Sequence, residues 1–343
     1  MSSVALSVGG HSVAPGKRKR IELEVAKLFD YTPMTIPVEV VRGREPGPVL
    51  FVSAAIHGDE INGVEVVKRL LARKRVGSRM RGTLIAVPIV NVFGFNNNSR
   101  YLPDRRDLNR SFPGSERGSL AGQIAATFMR EIVSKATHGI DLHTGAIHRT
   151  NLPQIRAHLD DPETARLAKS FGVPVVIDAS IRDGSLRQAA AELGIPMLLF
   201  EGGEALRYEE RVIQTALQGI LAVMESIGMI PAASSRRRRQ ARDVYIARSS
   251  YWERAPHSGS LRARRFLGNL VKKGELLGEL TDPWGDDKVE VIAQKTGIII
   301  GMTRLPLVNN GDALFHIARF EDSEAVEESL GLHDESLDIE YRK

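Results

Sequence analysis

The sequence predicts an α/β protein with a mainly parallel or mixed sheet flanked by helices, followed by a smaller all-β domain. Three observations carry this. Between about residues 36 and 230, short apolar runs alternate with stretches of helical periodicity. At "PAASSRRRRQARD" (231 to 243) that alternation stops in a polar linker. Beyond it, short β-like runs are punctuated by glycine. The boundaries drawn from these changes are an N-terminal extension over 1–35, an α/β domain over 36–235, a β domain over 243–325 and a polar tail over 326–343.

In chain order, the strand candidates of the first part are "IPVEVV", "VLFVSAAI", "GTLIAVPIV", "HGIDLH", "PQIRAHL", "PVVIDA" and "IPMLLFE". They are six to nine residues long and rich in branched apolar side chains, as strands buried on both faces require. Between them, "EINGVEVVKRLLARK" places Ile61, Val64, Val67, Leu70 and Leu71 at helical spacing. "AGQIAATFMREIVSK", "PETARLAKSF" and "EERVIQTALQGILAVMESIG" supply three more helices. The second part reads as strands at "VYIARS", "GSLRAR", "GELLGEL", "KVEVIAQ", "GIIIGMT" and "DALFHIA". Its run "LGNLVKKGELLGELTDP" through "VNNGDALFHIA" resembles the barrel-sandwich of biotinyl and lipoyl carrier domains. The Met-Lys-Met hairpin of those carriers is missing, and Lys288 in "DDKVE" is a poor substitute, so the resemblance implies a shape and no carrier function.

Composition bounds the function. With 343 residues, 42% hydrophobic and 26% charged, the chain has room for about two domains and a substantial core. No apolar segment approaches the roughly 20 residues that span a bilayer, and the start lacks the charge-then-apolar order of a signal peptide. The absence of cysteine removes disulfides, thiolate ligands and thiol catalysis, in keeping with a cytoplasmic enzyme. The net charge of +5 comes largely from "KRKR" at 17–20 and "RRRR" at 236–239, which read as solvated linker charge. With 6% aromatic residues, none interleaved with these clusters, a nucleic-acid surface is not expected. No membrane partner is expected either, and a homo-oligomer is allowed. No GxSxG, GxxxxGK[ST] or GxGxxG motif occurs.

The chemistry gathers at strand ends. The apolar run "GPVLFVSAAI" stops at His57, with Glu60 three residues on, where a strand hands over to a helix. In open α/β sheets this carboxyl end of the strand is where ligands bind. By itself the pair says little, since His138 and His158 are also followed by an acid at the third position. "GIDLHTG" ends another strand with His143 before a turn. Two histidines and a glutamate are a standard set of zinc ligands that leaves a fourth position for water, and His57, Glu60 and His143 fit it. "MLLFEGG" ends a third strand with Glu201, which if desolvated would have a raised pKa suited to taking a proton from metal-bound water and returning it to an amine. The loop "NNNSRYLPDRRDLNRSFPG" gathers Arg100, Arg105, Arg106 and Arg110 with Asn109, and guanidinium forks are a natural clamp for a carboxylate. His138, His148 and His158 read as surface or packing residues.

In order, "HGDE", "RDLNRSFPG", "DLHTG" and "FEGG" resemble the signature of the succinylglutamate desuccinylase/aspartoacylase family, zinc amidohydrolases related to the metallocarboxypeptidases. The match covers roughly residues 45–230. The resemblance implies a zinc-carboxypeptidase-like mixed sheet, with 36–235 as the deacylase catalytic domain and a β domain of the kind found in larger members. It implies that His57, Glu60 and His143 hold one zinc per chain and that Glu201 is the catalytic glutamate. It gives Asn109 and Arg110 the substrate carboxylate, and Asp107 the orientation of a zinc histidine. Arg100 is the candidate that polarises the scissile carbonyl, with Arg105 and Arg106 as alternatives. The expected activity is hydrolysis of the amide of a small N-acylated amino acid or related amine. A carboxypeptidase acting on short peptides is the nearest rival; a non-catalytic metal- or nucleic-acid-binding protein is the rival from another class.

Overall fold

The computed structural model describes residues 6–179, 183–232 and 244–331. The arginine run at 236–239 and most of the linker lie outside the described residues. One large mixed sheet of thirteen strands dominates. Its centre is the parallel set Met197–Glu204, His138–Gly145, Glu45–Ala54 and Arg81–Val87, in that spatial order. Pro33–Arg42 and then Arg18–Lys27 extend it by antiparallel pairing on one side. On the other side, Arg149–Ala157 pairs antiparallel with the Met197–Glu204 strand.

The central strands alternate their side chains between two cores, which is why they read as unbroken apolar runs. Leu50, Val52 and Ala54 face one core with Ile140, Leu142, Leu198 and Phe200. That core is covered by helices Asn62–Leu71, Pro162–Phe171 and Glu210–Ser226. Phe51 faces the other core, beneath helices Leu120–Glu131 and Leu186–Glu192. Helix starts are fixed locally: Ser119, Asp161 and Ser185 accept from the backbone N–H of Gly122, Thr164 and Gln188. In the helix after Glu60 the buried stripe is Gly63, Val66, Val67 and Leu70, with Val64 and Leu71 only half-buried. A Cβ at Gly63 would lie 2.7 Å from that of Ala54, so the helix axis is pressed onto the strand and the stripe turns accordingly.

Two expectations need correction. The stretch over 1–35 is not an appendage: Arg18–Lys27 is a ten-residue strand paired along its length with Pro33–Arg42. Its Ile21 and Leu23 are buried; the "KRKR" residues are exposed, as solvated charge, but they lead into a strand and not a linker, and Arg18 and Arg20 both pair with the buried Glu39. At the other end, the stretch read as a polar tail begins inside a helix over 323–331, where Val326 is fully buried. The rest of that tail lies outside the described residues.

The C-terminal part is the expected antiparallel sandwich. Strands Lys288–Ile292, Leu276–Thr281, Gly259–Ala263 and Leu307–Val308 form one sheet. They pack through Leu261, Leu280 and Val291 onto Phe315, Ile317 and Ile299 of the other. That other layer, Ser249–Arg254, Ala313–Arg319 and Gly297–Thr303, is part of the large sheet. Gly301 to Thr303 pair with Asn151 to Arg149, while the end of the same strand, Gln154 to Ala157, pairs in parallel with Val175–Asp178. The hydrogen-bonded ladder therefore runs unbroken from the N-terminal strand into the C-terminal sandwich.

Candidate active site

The parallel strands deliver their carboxyl ends to one place. After Glu45–Ala54 the chain turns through Ala55 at φ +51° and reaches His57 and Glu60 before the helix begins at Asn62. Gly58 lies so close to the backbone of Gly94 that a Cβ would stand 2.0 Å from its carbonyl carbon, which explains a glycine in "HGDE". On the next strand Asp141 and His143 share a face, being two residues apart, and Glu201 is the direct register partner of His143. The loop with Asp107, Asn109 and Arg110 closes over them from the side.

His57, Glu60 and His143 are all buried, and their ligand atoms lie within 4.8 Å of one another. Among the described residues this is the one group of three or more such side chains so placed. Nδ1 of His57 is 2.8 Å from Glu60 Oε1 and Nδ1 of His143 is 2.8 Å from Oε2, with the two nitrogens 3.2 Å apart. The other ring nitrogens are held from behind. Nε2 of His57 is 3.1 Å from Asp107 and Nε2 of His143 is 2.7 Å from Asp141, itself a hydrogen-bond acceptor from Ser53. Such carboxylates fix ring orientation and raise ligand basicity.

Charge is concentrated accordingly. Burial opposes ionisation of Glu60, but His57 and His143 outweigh it and hold the carboxyl well below the usual carboxylate range. Asp107 is likewise desolvated, yet His57 and Arg100 bring it below the usual range. Burial disfavours charge on both histidines, and the surrounding carboxylates overcome it: Glu60 and Asp107 raise His57, while Asp141 and Glu60 raise His143 well above the ordinary value. Negative field focused on two imidazole nitrogens attracts a cation as readily as a proton.

These residues floor a cavity of about 490 Å³. Arg100 reaches into it, Nη1 donating to Glu60 at 3.2 Å and Nη2 to Asp107 at 3.1 Å. Arg105 and Arg106 are exposed and do not line it. Asn109 and Arg110 both line it; Asn109 Oδ1 accepts from the N–H of Leu186, so its amide nitrogen is the end free for a ligand. Glu201 also lines the cavity, but it is not the isolated, desolvated carboxylate expected from "PMLLF". About a fifth of its side chain is open, Arg156 forms an ion pair at 3.2 Å and Asn151 donates to it at 2.8 Å. His138, His148 and His158 stay outside, His138 against Glu163 and His158 against Asp160.

Several lining residues escape a reading of the sequence. Ser185 and Arg187 arrive with the start of a short helix. Ser250, Trp252 and His316 come from the C-terminal part. Trp252 stacks on His316 with ring centroids 4.6 Å apart, and the Arg149 guanidinium lies 5.3 Å from the indole centre. Of the residues missed, Asp141 carried a signal, since an acid two positions before a strand-end histidine shares its face.

Comparison with known proteins agrees with this geometry. Residues 46–227 match the succinylglutamate desuccinylase/aspartoacylase catalytic domain. The chain is 29% identical over 307 residues to an N-alpha-acetyl-L-2,4-diaminobutyric acid deacetylase of Halomonas elongata, covering 84% of this chain and 86% of that one. Among solved structures it is similar to the product-bound ectoine utilization protein EutE (DoeB) of Ruegeria pomeroyi, with a TM-score of 0.78 at 24% identity over 89% of this chain and 97% of that one. It is similar also to a succinylglutamate desuccinylase/aspartoacylase of Rhodobacter sphaeroides, with a TM-score of 0.79 at 23% identity over 90% and 98% of the two chains.

Proposed function

The chain belongs to the succinylglutamate desuccinylase/aspartoacylase family, and from that premise we propose that it is a zinc-dependent hydrolase of the amide bond in a small N-acylated amino acid. The observation that carries this is the convergence of His57 Nδ1, His143 Nδ1 and the Glu60 carboxylate, each histidine backed by its own aspartate. Two imidazoles and a carboxylate suit zinc, and the set leaves room for a further ligand on the cavity side. A divalent cation held there would polarise the scissile carbonyl and lower the pKa of water.

The protein's own groups do the rest. Glu201 removes a proton from the attacking water as the C–O bond forms, then gives it to the amine nitrogen as the C–N bond breaks. Arg100, held by Glu60 and Asp107, is aimed at the negative charge that develops on the carbonyl oxygen. Asn109 and Arg110 receive the carboxylate of the amino acid. Five arginines line the cavity, at 100, 110, 149, 156 and 187, against the two glutamates Glu60 and Glu201. This balance favours a substrate rich in carboxylate. Peptides are disfavoured because Ser250, Trp252 and His316 of the C-terminal part wall the cavity.

The test is to assay the purified zinc protein against N-acetyl and N-succinyl amino acids, N-acetyl-2,4-diaminobutyrate included, alongside short peptides. Turnover of an acylated amino acid with no peptide cleavage is expected. Peptide cleavage alone would select the carboxypeptidase reading, and no turnover of either class would defeat the proposal.

A further inference from the structure

Strand Arg149–Ala157 belongs to both parts of the molecule, and Asn151 stands where they meet. Asn151 is opposite Gly203 of the Glu201 strand on one side and opposite Gly301 of the C-terminal part on the other. Its Nδ2 donates to Glu201 Oε2 at 2.8 Å, the one hydrogen bond to that carboxylate among the described residues. Arg156 contributes an ion pair at 3.2 Å, but its Nε is not aligned for a hydrogen bond. Attraction without direction leaves the carboxylate free to rotate, so orientation rests on Asn151.

Space for that amide is provided from the other strand. A Cβ on Gly301 would stand 2.8 Å from Asn151 Oδ1 and 3.2 Å from the Cβ of His316. Gly301 has no positive φ, so the need for glycine here is steric. His316 cannot easily yield, since its ring stacks on Trp252 and its Nε2 bonds Ser250 Oγ at 2.9 Å. An added methyl group would therefore push the Asn151 amide.

We propose that Asn151 is a positioning residue for the Glu201 carboxylate and that Gly301, across the sheet, holds open the space Asn151 needs. The C-terminal strands then set the orientation of the proton shuttle as well as walling the cavity. This inference rests on the assignment of Glu201 as that shuttle.

The experiment uses full-length, zinc-loaded enzyme and the N-acyl amino acid that the wild type hydrolyses fastest. Asn151→Ala and Gly301→Ala should each lower kcat on the order of tenfold, as expected for one lost hydrogen bond to a charged group. KM, zinc content and the melting midpoint should stay close to wild type. The double variant should be no slower than Asn151→Ala, because the added Cβ then has no amide to displace. In a Glu201→Gln background, Asn151→Ala should change the residual rate less than about twofold. Should Gly301→Ala fail to fold, this last pair decides alone. An unchanged kcat in Asn151→Ala beside an inactive Glu201→Gln sinks the positioning role and leaves the shuttle intact. Full activity in Glu201→Gln overturns both. Multiplying losses in the double variant overturn the part given to Gly301.

Discussion

At Glu201, substitution would separate the proposed proton transfer from the proposed metal binding. Glu201→Gln keeps the size and the Asn151 hydrogen bond but cannot accept the proton, so turnover should fall by about 10² to 10⁴-fold with zinc content near wild type. Loss of zinc in that variant, measured by elemental analysis, would make Glu201 a ligand instead. Arg110 faces the cavity from an exposed position, and Arg110→Ala should lower kcat/KM on the order of 10 to 200-fold for a carboxylate substrate, with much less effect on an uncharged analogue. Gln154 offers a third test. It lies opposite Glu201 in register, fully buried, and neither polar atom of its amide has a hydrogen-bond partner among the described residues. Gln154→Met should therefore raise stability by about 1 to 3 kcal/mol in urea titration; destabilisation would mean that the amide is satisfied. Residues of this scale were legible where a local rule fixes them. His57, His143 and Glu201 each follow an apolar run that ends at the site. Asn151, Trp252 and His316 follow no such rule, because what brings them there is pairing between strands far apart in sequence.

Among the elements, the N-terminal strands show how short pieces are tied down. Ser7–Val8 and His11–Ser12 form a two-stranded turn whose Gly9 N–H donates to Glu131 Oε2 at 2.9 Å, on the helix Leu120–Glu131. Burial raises the Glu131 pKa, but Lys135, the Gly9 amide and Arg130 together bring it down to about 2 from the usual 4.5. A carboxyl depressed on folding stabilises above its unfolded pKa and loses that contribution as pH falls through the folded one. The Glu131 contribution should thus be complete above about pH 4.5 and fade toward pH 2. Glu131→Gln should cost about 1.5 kcal/mol at neutral pH and little at pH 2. A protection factor against exchange at the Gly9 amide that neither the mutation nor the fall in pH changes would remove Glu131 as the tether. The four longer helices and the central strands were legible from periodicity, since each buries a continuous stripe or both faces, whereas the short helix Leu186–Glu192 was not. Arg18–Lys27 was not either, because six of its ten side chains are charged and its partner strand supplies the reason for its alternation. The strand Ser249–Arg254 was hidden because its buried position is a charged residue, Glu253, beside an exposed Arg254.

For the whole molecule, a zinc held by the three buried side chains His57, Glu60 and His143 from two strand ends would be a cross-link between elements. A cation bound only in the folded state adds RT ln(1 + [L]/Kd), roughly 4 kcal/mol at a thousandfold excess over Kd. Stripping the protein with chelator should lower its melting midpoint, zinc should restore it, and His143→Ala should abolish the difference. An unchanged midpoint in both cases would mean that no metal stabilises the fold.

The unbroken ladder has one more effect, on what happens when the chain is cut. Protein ending near residue 232 would keep every proposed metal ligand and Glu201, and from composition alone it should fold as a soluble hydrolase. It would also strip Arg149 to Asn151 of Gly301 to Thr303, and Val175 to Ile177 of Tyr245 to Ala247. Two rows of unpaired amides and carbonyls would then face water beside Leu152, Val175 and Ile177, which is a template for another copy of the same fragment. Such a fragment should elute as large aggregates in size-exclusion chromatography, and lysine at Ile177, on the face that the lost strands covered, should shift it toward monomer.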